Sequence, residues 1–352
     1  MKLIIDDKIP FLRGVAERFG TCVYLPGHQI SAEDVRDADV LIVRTRTNVN
    51  RALLEGSKVQ LVVTATIGYD HIDTDYLAEA DIAWHNCPGC NATSVAQYVR
   101  NSLLLAAAAG YIDPRFAQGT LPANEPLTIG IVGVGHVGGA VAELLEKEGC
   151  RILRCDPPKG EAYTLADLAR EADVITFHTP LTREGEHATF HLANTAFFES
   201  LSRQPFFLNS SRGECVDTEA LKAALRNGKI AAAAIDTWEN EPHPDPELLE
   251  AAFIATPHIA GYSADGKANG SQMALEAVAR HFGLPIDFQI QPPALPEGFA
   301  YTTSFTPSQN LSSTAAEHLR LYHPFADSYA LKAHPEAFEY QRGNYPLRRE
   351  KK

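Results

Sequence analysis

Short apolar runs that alternate with amphipathic stretches constrain the fold of this chain more than any other feature. Five such runs in the first 90 residues are strand candidates: Leu3–Ile5, Cys22–Leu25, Val40–Val43, Leu61–Ala65 and Ile82–His85. Helical patterns lie between them, at Phe11–Phe19, Ala32–Ala38 and Asp75–Ala80. Buried strands separated by helices indicate a parallel sheet that is covered on both faces. We therefore predict that the chain begins with a doubly wound α/β unit.

The same alternation restarts near residue 127. Six further runs are strand candidates: Leu127–Val132, Arg151–Cys155, Val174–Phe177, Phe206–Leu208, Ile230–Ile235 and Phe253–Ala255. Six strands with intervening helices match the number in a doubly wound dinucleotide-binding sheet. Long helix patterns cover residues 91–109 and 263–281 on either side of this region. Beyond Gly283 the sequence becomes rich in proline and aromatic residues, which suggests a small C-terminal module.

A glycine-rich segment follows the first strand of the second series. Gly133, Gly135 and Gly138 form a G-x-G-x-x-G pattern between a strand and a helix. In that setting the first glycine permits a tight turn, the second lets the backbone approach a pyrophosphate, and the third allows close helix–strand packing. The pyrophosphate then lies at a helix N-terminus, where unpaired N–H groups favour negative charge. The motif therefore predicts a dinucleotide cofactor.

A carboxylate at the end of the next strand helps to choose between the two nicotinamide dinucleotides. Asp156 follows Gly138 at close to the spacing of about 20 residues that is typical of an acid binding the ribose hydroxyls. A 2′-phosphate would be repelled by this carboxylate, and two prolines follow it where an arginine would be needed. We therefore predict NAD as the cofactor.

Three polar residues each follow one of the last three strands of the second series. They are Arg212, Glu241 and His258. Open parallel sheets bind their ligands at the carboxyl ends of the strands. There a histidine can take the proton of an alcohol, a glutamate can orient the imidazole, and an arginine can bind a neighbouring carboxylate. Each residue alone also fits a structural role, but their joint placement predicts oxidation of a 2-hydroxy acid.

These motifs resemble those of the D-isomer-specific 2-hydroxyacid dehydrogenases. The shared segments are the glycine motif, Asn209–Gly213, Asp236–Pro242 and Pro257–His258. The resemblance implies that Arg212, Glu241 and His258 are the catalytic set, with His258 as the proton donor or acceptor. It also implies that further NAD contacts come from His136, Val137, Asp156, Thr179, Ser210, Ser211, Arg212, Asp236 and Gly261.

A second group of motifs resembles one branch of that family, which acts on a small phosphorylated 2-hydroxy acid. It comprises Val43–Thr45, Thr64–His71, Pro88–Asn91, His258–Tyr262 and the C-terminal stretch Phe338–Glu350. The resemblance implies that Thr45, Thr66 and Tyr262 bind substrate and that the C-terminal module forms a homodimer. From the residues alone, Arg44 and Arg46 follow a predicted strand and offer cations for a phosphate.

Together these observations predict three domains. Residues 1–90 with 262–283 form a substrate-binding lobe, and residues 91–261 form a Rossmann-like NAD-binding domain. Residues 284–352 form a small α+β dimerisation module. The predicted fold class is thus α/β, with two doubly wound parallel-sheet lobes and a C-terminal module.

Composition argues against several other functions. The chain of 352 residues has 31 Lys+Arg against 44 Asp+Glu and a net charge of −13, which disfavours broad nucleic-acid binding. We expect no membrane partner, because no apolar run approaches the roughly 20 residues that span a bilayer. Cys87 and Cys90 have no second cysteine pair, so we predict no metal site. Six cysteines and an N-terminus without a signal-peptide core favour a cytoplasmic protein.

Two alternatives remain open at this point. One is another enzyme of the same family, of the 3-phosphoglycerate or glyoxylate type. The other is a non-catalytic NAD-sensing binding protein, because a fold can keep a site while it serves as a scaffold. Turnover of a 2-hydroxy acid distinguishes the second alternative from either enzyme.

Overall fold

The computed structural model describes residues 1–295, 297–298 and 311–350. Its contacts divide the chain into two compact units. Unit 1 comprises Met1–Asn91 and Ser263–Ala294, and unit 2 comprises Ala92–Tyr262 and Leu295–Lys352. Each unit is built on a parallel sheet with helices, so the predicted α/β fold class is confirmed.

Unit 1 contains a five-stranded parallel sheet. Its strands are β1 (Lys2–Asp6), β2 (Thr21–Leu25), β3 (Val40–Val43), β4 (Leu61–Thr64) and β5 (Ala83–His85), in the order β2-β1-β3-β4-β5. Alternate side chains enter opposite faces, so that Leu3 and Ile5 pack in one core and Ile4 packs in the other. All five strands predicted for this region are confirmed. The three inner strands β1, β3 and β4 are largely buried and apolar, whereas the edge strands β2 and β5 are half-buried or exposed.

Unit 2 contains a six-stranded parallel sheet. Its strands are β6 (Thr128–Val132), β7 (Arg151–Cys155), β8 (Val174–Phe177), β9 (Phe206–Asn209), β10 (Ala232–Ile235) and β11 (Ile254–Ala255), in the order β11-β10-β9-β8-β6-β7. All six predicted strands are confirmed. In each sheet the first strand lies between the second and the third, which makes its carboxyl end a topological switch point where ligands bind.

The helices of the described chain cover the faces of these sheets. They are α1 (Ala32–Val35), α2 (Arg51–Leu54), α3 (Thr74–Glu79), α4 (Ala92–Ala108), α5 (Arg115–Gln118), α6 (His136–Lys147), α7 (Leu165–Glu171), α8 (Thr195–Glu199), α9 (Thr218–Arg226), α10 (Pro246–Ala251), α11 (Ala264–His281), α12 (Ser313–Leu321), α13 (Pro324–Ala333) and α14 (Phe338–Gly343). The helix predicted at Phe11–Phe19 is wrong. Left-handed backbone at Phe11 (φ 65°) and Gly14 (φ 87°) interrupts it, and only a 3₁₀ turn forms at Ala16–Arg18.

The predicted C-terminal domain, 284–352, is not separate in this division. Residues 284–294 belong to unit 1, and the helices α12 to α14 belong to unit 2. These helices and their connections contribute Leu319 and Tyr322 to one core of unit 2, and Leu331 and Phe338 to the other. The described residues 311–350 form these three helices, a 3₁₀ turn at Pro335–Ala337 and one β-bridge position at Arg348.

Two further observations concern the cysteines and membrane spans. All six cysteines are free thiols, and Cys87 donates its Sγ hydrogen to the carbonyl oxygen of Gly270 at 3.3 Å. Burial raises the pKa of the Cys87 thiol far above its ordinary value, which disfavours a reactive thiolate. Within the described part of the chain, no helix is both long and apolar enough to span a bilayer.

Candidate active site

A histidine and a glutamate form a hydrogen-bonded pair in unit 2. His258 Nδ1 lies 2.9 Å from Oε2 and 3.1 Å from Oε1 of Glu241. The Trp238 backbone N–H also donates to Glu241 Oε1, at 3.0 Å. Burial raises the pKa of the Glu241 carboxyl, but the neighbouring His258 and Arg342 outweigh it and lower that pKa to about 2. The pair therefore contains an ionised carboxylate that fixes the orientation of the imidazole.

The loop that carries His258 is held by a buried aspartate. Asp236, at the end of β10, accepts hydrogen bonds from the Thr256 hydroxyl at 2.6 Å and from the backbone N–H groups of Ile259 (2.8 Å) and Ala260 (3.0 Å). His258 has left-handed backbone (φ 56°), and its N–H donates to the Asp236 carbonyl oxygen at 2.8 Å. Asp236 was predicted to contact NAD. In the structure its carboxylate holds the His258 loop through these hydrogen bonds.

Trp238 joins the three loops that carry Arg212, Glu241 and His258. Its indole N–H donates to the carbonyl oxygen of Thr256 at 2.9 Å, and its backbone N–H binds Glu241. A Cβ added to Gly213 would lie only 1.9 Å from the backbone carbon of Trp238. Gly213 therefore lets the loop after Arg212 approach the loop that leads to Glu241, which brings together the segments of all three predicted catalytic residues.

The glycine motif has the geometry that a dinucleotide requires. Gly133 has φ 87°, and a Cβ on Gly138 would lie 1.9 Å from the Gly133 carbonyl oxygen. The twelve-residue helix α6 starts after Gly135, which makes no side-chain cap and faces open space. Uncapped N–H groups at the start of a helix favour an anion, so the loop fits a pyrophosphate.

Asp156 ends β7 close to this loop. Its Oδ2 accepts the Val134 backbone N–H at 2.8 Å, and among the described residues its Oδ1 makes no hydrogen bond. The Lys159 ammonium donates to the Val134 carbonyl oxygen at 2.8 Å. One carboxylate oxygen thus shapes the glycine loop while the other is available for a ribose hydroxyl.

The other residues predicted to contact NAD differ in exposure. His136 is exposed, whereas Val137, Thr179, Ser210 and Gly261 are half-buried. The Ser211 side chain is buried, and its hydroxyl donates to Asn209 Oδ1 at 2.7 Å. The side chains of Ser211 and Asp236 therefore hold the loop structure in this conformation. The hydroxyl of Ser210 lies 3.3 Å from His178 Nδ1.

The predicted substrate residues of unit 1 follow two adjacent strands, β3 and β4. Thr45 is exposed, and Arg44 is half-buried with its Nη1 donating to the Lys8 carbonyl oxygen at 3.0 Å. Burial raises the pKa of Asp6, at the end of the neighbouring β1, while the nearby Arg44 lowers it. These contacts position a cation at the carboxyl end of the sheet.

A directional chain of hydrogen bonds runs through Thr66. Its hydroxyl donates to the Gly68 carbonyl oxygen at 2.9 Å, and it lies 2.6 Å from Thr64 Oγ1. Because each hydroxyl has one hydrogen, Thr64 donates to Thr66, and His71 Nε2 at 3.1 Å donates to Thr64. Thr66 can therefore accept a hydrogen bond from a ligand but has no hydrogen left to donate.

Two arginines near the pair were not found from the sequence. Arg342, in α14, has its Nη1 3.5 Å from Glu241 Oε2. Arg348 is fully buried and donates to the backbone after His258. In the sequence, the stretch Phe338–Glu350 stands out only by its resemblance to one branch of the family. No local pattern connects it to the catalytic residues about a hundred positions earlier.

A nucleotide-binding glycine loop and an oriented His–Glu pair in one parallel-sheet unit define an NAD-dependent dehydrogenase. Residues 112–260 match the family described as D-isomer specific 2-hydroxyacid dehydrogenase, NAD binding domain. Proteins named erythronate-4-phosphate dehydrogenase, from Bacteroides thetaiotaomicron and Porphyromonas gingivalis, are 48% and 42% identical to the chain. Both alignments cover 100% of this chain, with 98% of the first relative and 94% of the second. The chain belongs to the D-isomer-specific 2-hydroxyacid dehydrogenase family, in its erythronate-4-phosphate dehydrogenase branch.

Solved structures agree with this membership. The D-lactate dehydrogenase from Aquifex aeolicus, complexed with NAD and lactic acid, has a TM-score of 0.65 and 25% identity. That alignment covers 80% of this chain and 96% of the other. The TT0316 protein from Thermus thermophilus has a TM-score of 0.65 and 26% identity, over 83% of this chain and 100% of the other. The matched domain binds NAD, and the prediction of NAD as cofactor is confirmed.

Proposed function

We propose that this protein oxidises 4-phospho-D-erythronate to 2-oxo-3-hydroxy-4-phosphobutanoate with NAD, in the synthesis of pyridoxal 5′-phosphate. The observation that carries the chemistry is the 2.9 Å contact between His258 and Glu241 at the strand ends of an NAD-binding sheet. The substrate is proposed from the relatives named erythronate-4-phosphate dehydrogenase, whose alignments cover 100% of this chain.

His258 is the proposed base. Because its Nδ1 faces the Glu241 carboxylate, the hydrogen of the neutral imidazole lies on Nδ1, and Nε2 is free to accept the proton of the substrate 2-hydroxyl. Bound NAD supplies the acceptor for the hydride that leaves C2. The substrate thus loses one proton to His258 and one hydride to the cofactor, which leaves a ketone at C2.

Arg212 is proposed to bind the substrate carboxylate. It follows β9, and its Nη1 donates to the Ser211 carbonyl oxygen at 2.9 Å, which restrains the guanidinium. The planar fork of a guanidinium matches a carboxylate in two parallel hydrogen bonds. The same cation also stabilises negative charge that develops on the oxygen of the new carbonyl.

The phosphate is assigned to Arg44, with Thr45 as a neighbouring donor. Thr66 is unsuited to a phosphate, because its hydrogen is committed to Gly68. It is suited to a hydroxyl of the sugar acid, which donates to the remaining lone pair. Tyr262, in unit 2, is the fourth substrate residue of the proposal.

The proposal also includes the cofactor contacts that were predicted from the sequence. Gly133, Gly135 and Gly138, with His136 and Val137, surround the pyrophosphate at the start of α6. Asp156 accepts from the adenosine ribose. Thr179, Ser210, Ser211, Arg212, Asp236 and Gly261 form the remaining contacts or, for the two buried side chains, shape the loops that make them.

A homodimer in the cytoplasm completes the proposal. Tyr329 in α13 and Tyr340 in α14 are 73% and 72% exposed, so the C-terminal segment presents two aromatic rings suited to a second copy of the chain. The free cysteines suit a reducing compartment. Replacing Tyr329 and Tyr340 together with glutamate should give a monomer by light scattering, whereas the same change at Tyr69 in unit 1 should not.

The experiment that tests the function is NADH formation by the purified protein, followed by absorbance. The substrates compared are 4-phosphoerythronate, 3-phosphoglycerate and erythronate, each with and without a keto acid that reoxidises bound NADH. Preference for 4-phosphoerythronate supports the proposal. Turnover of another acid alone replaces the substrate, and NAD binding without any turnover contradicts the enzymatic role.

A further inference from the structure

The C-terminal segment of unit 2 contacts the loop that carries His258. Arg348 donates through Nη1 to the carbonyl oxygens of Ile259 (3.1 Å) and Tyr262 (2.9 Å), and through Nη2 to that of Ala260 (2.5 Å). Its guanidinium also lies 3.8 Å above the ring of Tyr322. A buried arginine that donates to three carbonyl oxygens between residues 259 and 262 holds the backbone after His258 in one conformation.

A second arginine of this segment reaches the catalytic pair directly. The side chain of Arg342 is 14% exposed and that of Glu241 is 20% exposed, and Arg342 Nη1 lies 3.5 Å from Glu241 Oε2. Burial lowers the pKa of the Arg342 guanidinium, but electrostatic interactions with Tyr262, Glu241 and Asp236 raise it. The Glu241 carboxylate therefore has three neighbours. The His258 imidazole contacts both of its oxygens, the Trp238 N–H donates to Oε1, and a cation lies beside Oε2.

We propose that Arg342 is a positioning residue for the dehydrogenase reaction: it fixes the Glu241 carboxylate and offsets its negative charge beside the His258 imidazole. The inference rests on the roles proposed above for His258 and Glu241. It assigns the C-terminal segment a part in the chemistry that is separate from dimer formation.

The electrostatic reason is the balance of charge around the imidazole. An unbalanced carboxylate at 2.9 Å stabilises the charged imidazolium, which is useless as a base. Other titratable or charged groups around the pair include Asp236 at the end of β10, Tyr262 after the His258 loop, and Arg348, whose guanidinium donates to the backbone of that loop. Arg342 is the cation that these contacts bring to the carboxylate, and it reduces the negative potential at His258.

The segment is shared with the curated relatives. Their alignments span 99% to 100% of this chain and so include α12 to α14, whereas the solved dehydrogenases cited above cover 80% and 83% of it. The family domain match ends at residue 260, before both arginines. A role for Arg342 therefore does not follow from the NAD-binding domain alone.

The test is the pH dependence of kcat and kcat/KM for 4-phosphoerythronate oxidation in Arg342→Gln and Arg342→Lys. We expect Arg342→Gln to lower kcat about tenfold and to move the acid limb of the profile up by about half a pH unit. KM for NAD should change less than about twofold. Arg342→Lys should keep the acid limb at its wild-type position, because the charge remains, with a smaller loss in kcat.

Arg320→Gln is the matched control, since the exposed side chain of Arg320 in α12 pairs with the exposed side chain of Glu317 in the same helix. Arg320→Gln should leave kcat and the pH profile unchanged. Thermal unfolding and NAD titration check the fold of each variant. If Arg342→Gln does not fold, Arg342→Lys decides: a shifted acid limb overturns the inference.

Two other results would also overturn it. One is a wild-type pH profile and rate in Arg342→Gln. The other is an equal fall in kcat in Arg342→Gln and Arg342→Lys with the acid limb unmoved, which indicates a packing role only. His258→Asn separates this failure from failure of the proposed function: if His258→Asn retains wild-type turnover, the proposed catalytic roles are wrong and the inference falls with them.

Discussion

The two sheets carry polar residues at equivalent strand ends, but they hold them differently. In unit 2, Glu241 and His258 are restrained by Trp238, Asp236 and Arg342 through hydrogen bonds from separate loops. In unit 1, Thr45 is exposed, and the restraint is a short chain through neighbouring threonines. The difference indicates that the groups proposed for proton transfer are preorganised by several loops, whereas in unit 1 Thr45 is exposed and Thr66 is held only by its near neighbours.

The comparison predicts that substitutions in the His258–Glu241 pair of unit 2 lower kcat, while substitutions of the substrate-binding residues of unit 1 raise KM. Preorganised groups contribute mainly to the transition state, and exposed binding groups contribute to substrate and transition state alike. The four variants below are ordered by the size of the expected effect.

His258→Asn should cause the largest loss, at least about 100-fold in kcat, because the proton acceptor is removed. NAD binding should be unchanged, as measured by fluorescence titration. His187→Asn is the control, since His187 is exposed in unit 2. A rise in KM without a fall in kcat would break the contrast between the units.

Arg44→Ala should raise KM for 4-phosphoerythronate about 30-fold, with kcat within about twofold, because a charge-assisted phosphate contact is lost. Turnover of unphosphorylated erythronate should not change. Arg36→Ala, at an exposed arginine of the same unit, should behave as wild type. An equal effect on both substrates would remove Arg44 from the phosphate site.

Asp156→Ala should reduce the preference for NAD over NADP about tenfold, since the repulsion of a 2′-phosphate disappears. Asp156→Asn keeps an acceptor for the Val134 N–H, so it isolates the effect of charge from that of the glycine loop. The measurement is kcat/KM with each cofactor. A ratio that changes in neither variant would contradict the assignment.

Thr66→Val should have the smallest effect, a rise of about fivefold in substrate KM, as one hydrogen-bond acceptor is lost. Thr66→Ser keeps the hydroxyl and should stay within about twofold of wild type. If Thr66→Val left KM unaltered, the hydroxyl would not bind substrate, and the directional chain from His71 would be structural only.

The sequence by itself determined the parts of the protein that depend on local pattern. The inner strands of both sheets were predictable because a parallel strand buried on both faces is apolar throughout, and the edge strands keep enough apolar residues to show the same pattern. The glycine motif was predictable because tight turns and close packing admit few residues. The pairing of Glu241 with His258 was reached from their positions after consecutive strands, and the structure places them 2.9 Å apart.

The tertiary structure alone decided which distant residues support that pair. Glu241 and Arg342 lie 101 positions apart, and Arg348 and Ile259 lie 89 apart, so no periodicity or spacing connects them. The loop roles of Asp236 and Ser211 were likewise hidden, because a polar residue after a strand looks the same whether it binds a ligand or its own backbone. Hydrogen bonds between remote segments depend on how the chain packs, and packing is not written in local sequence.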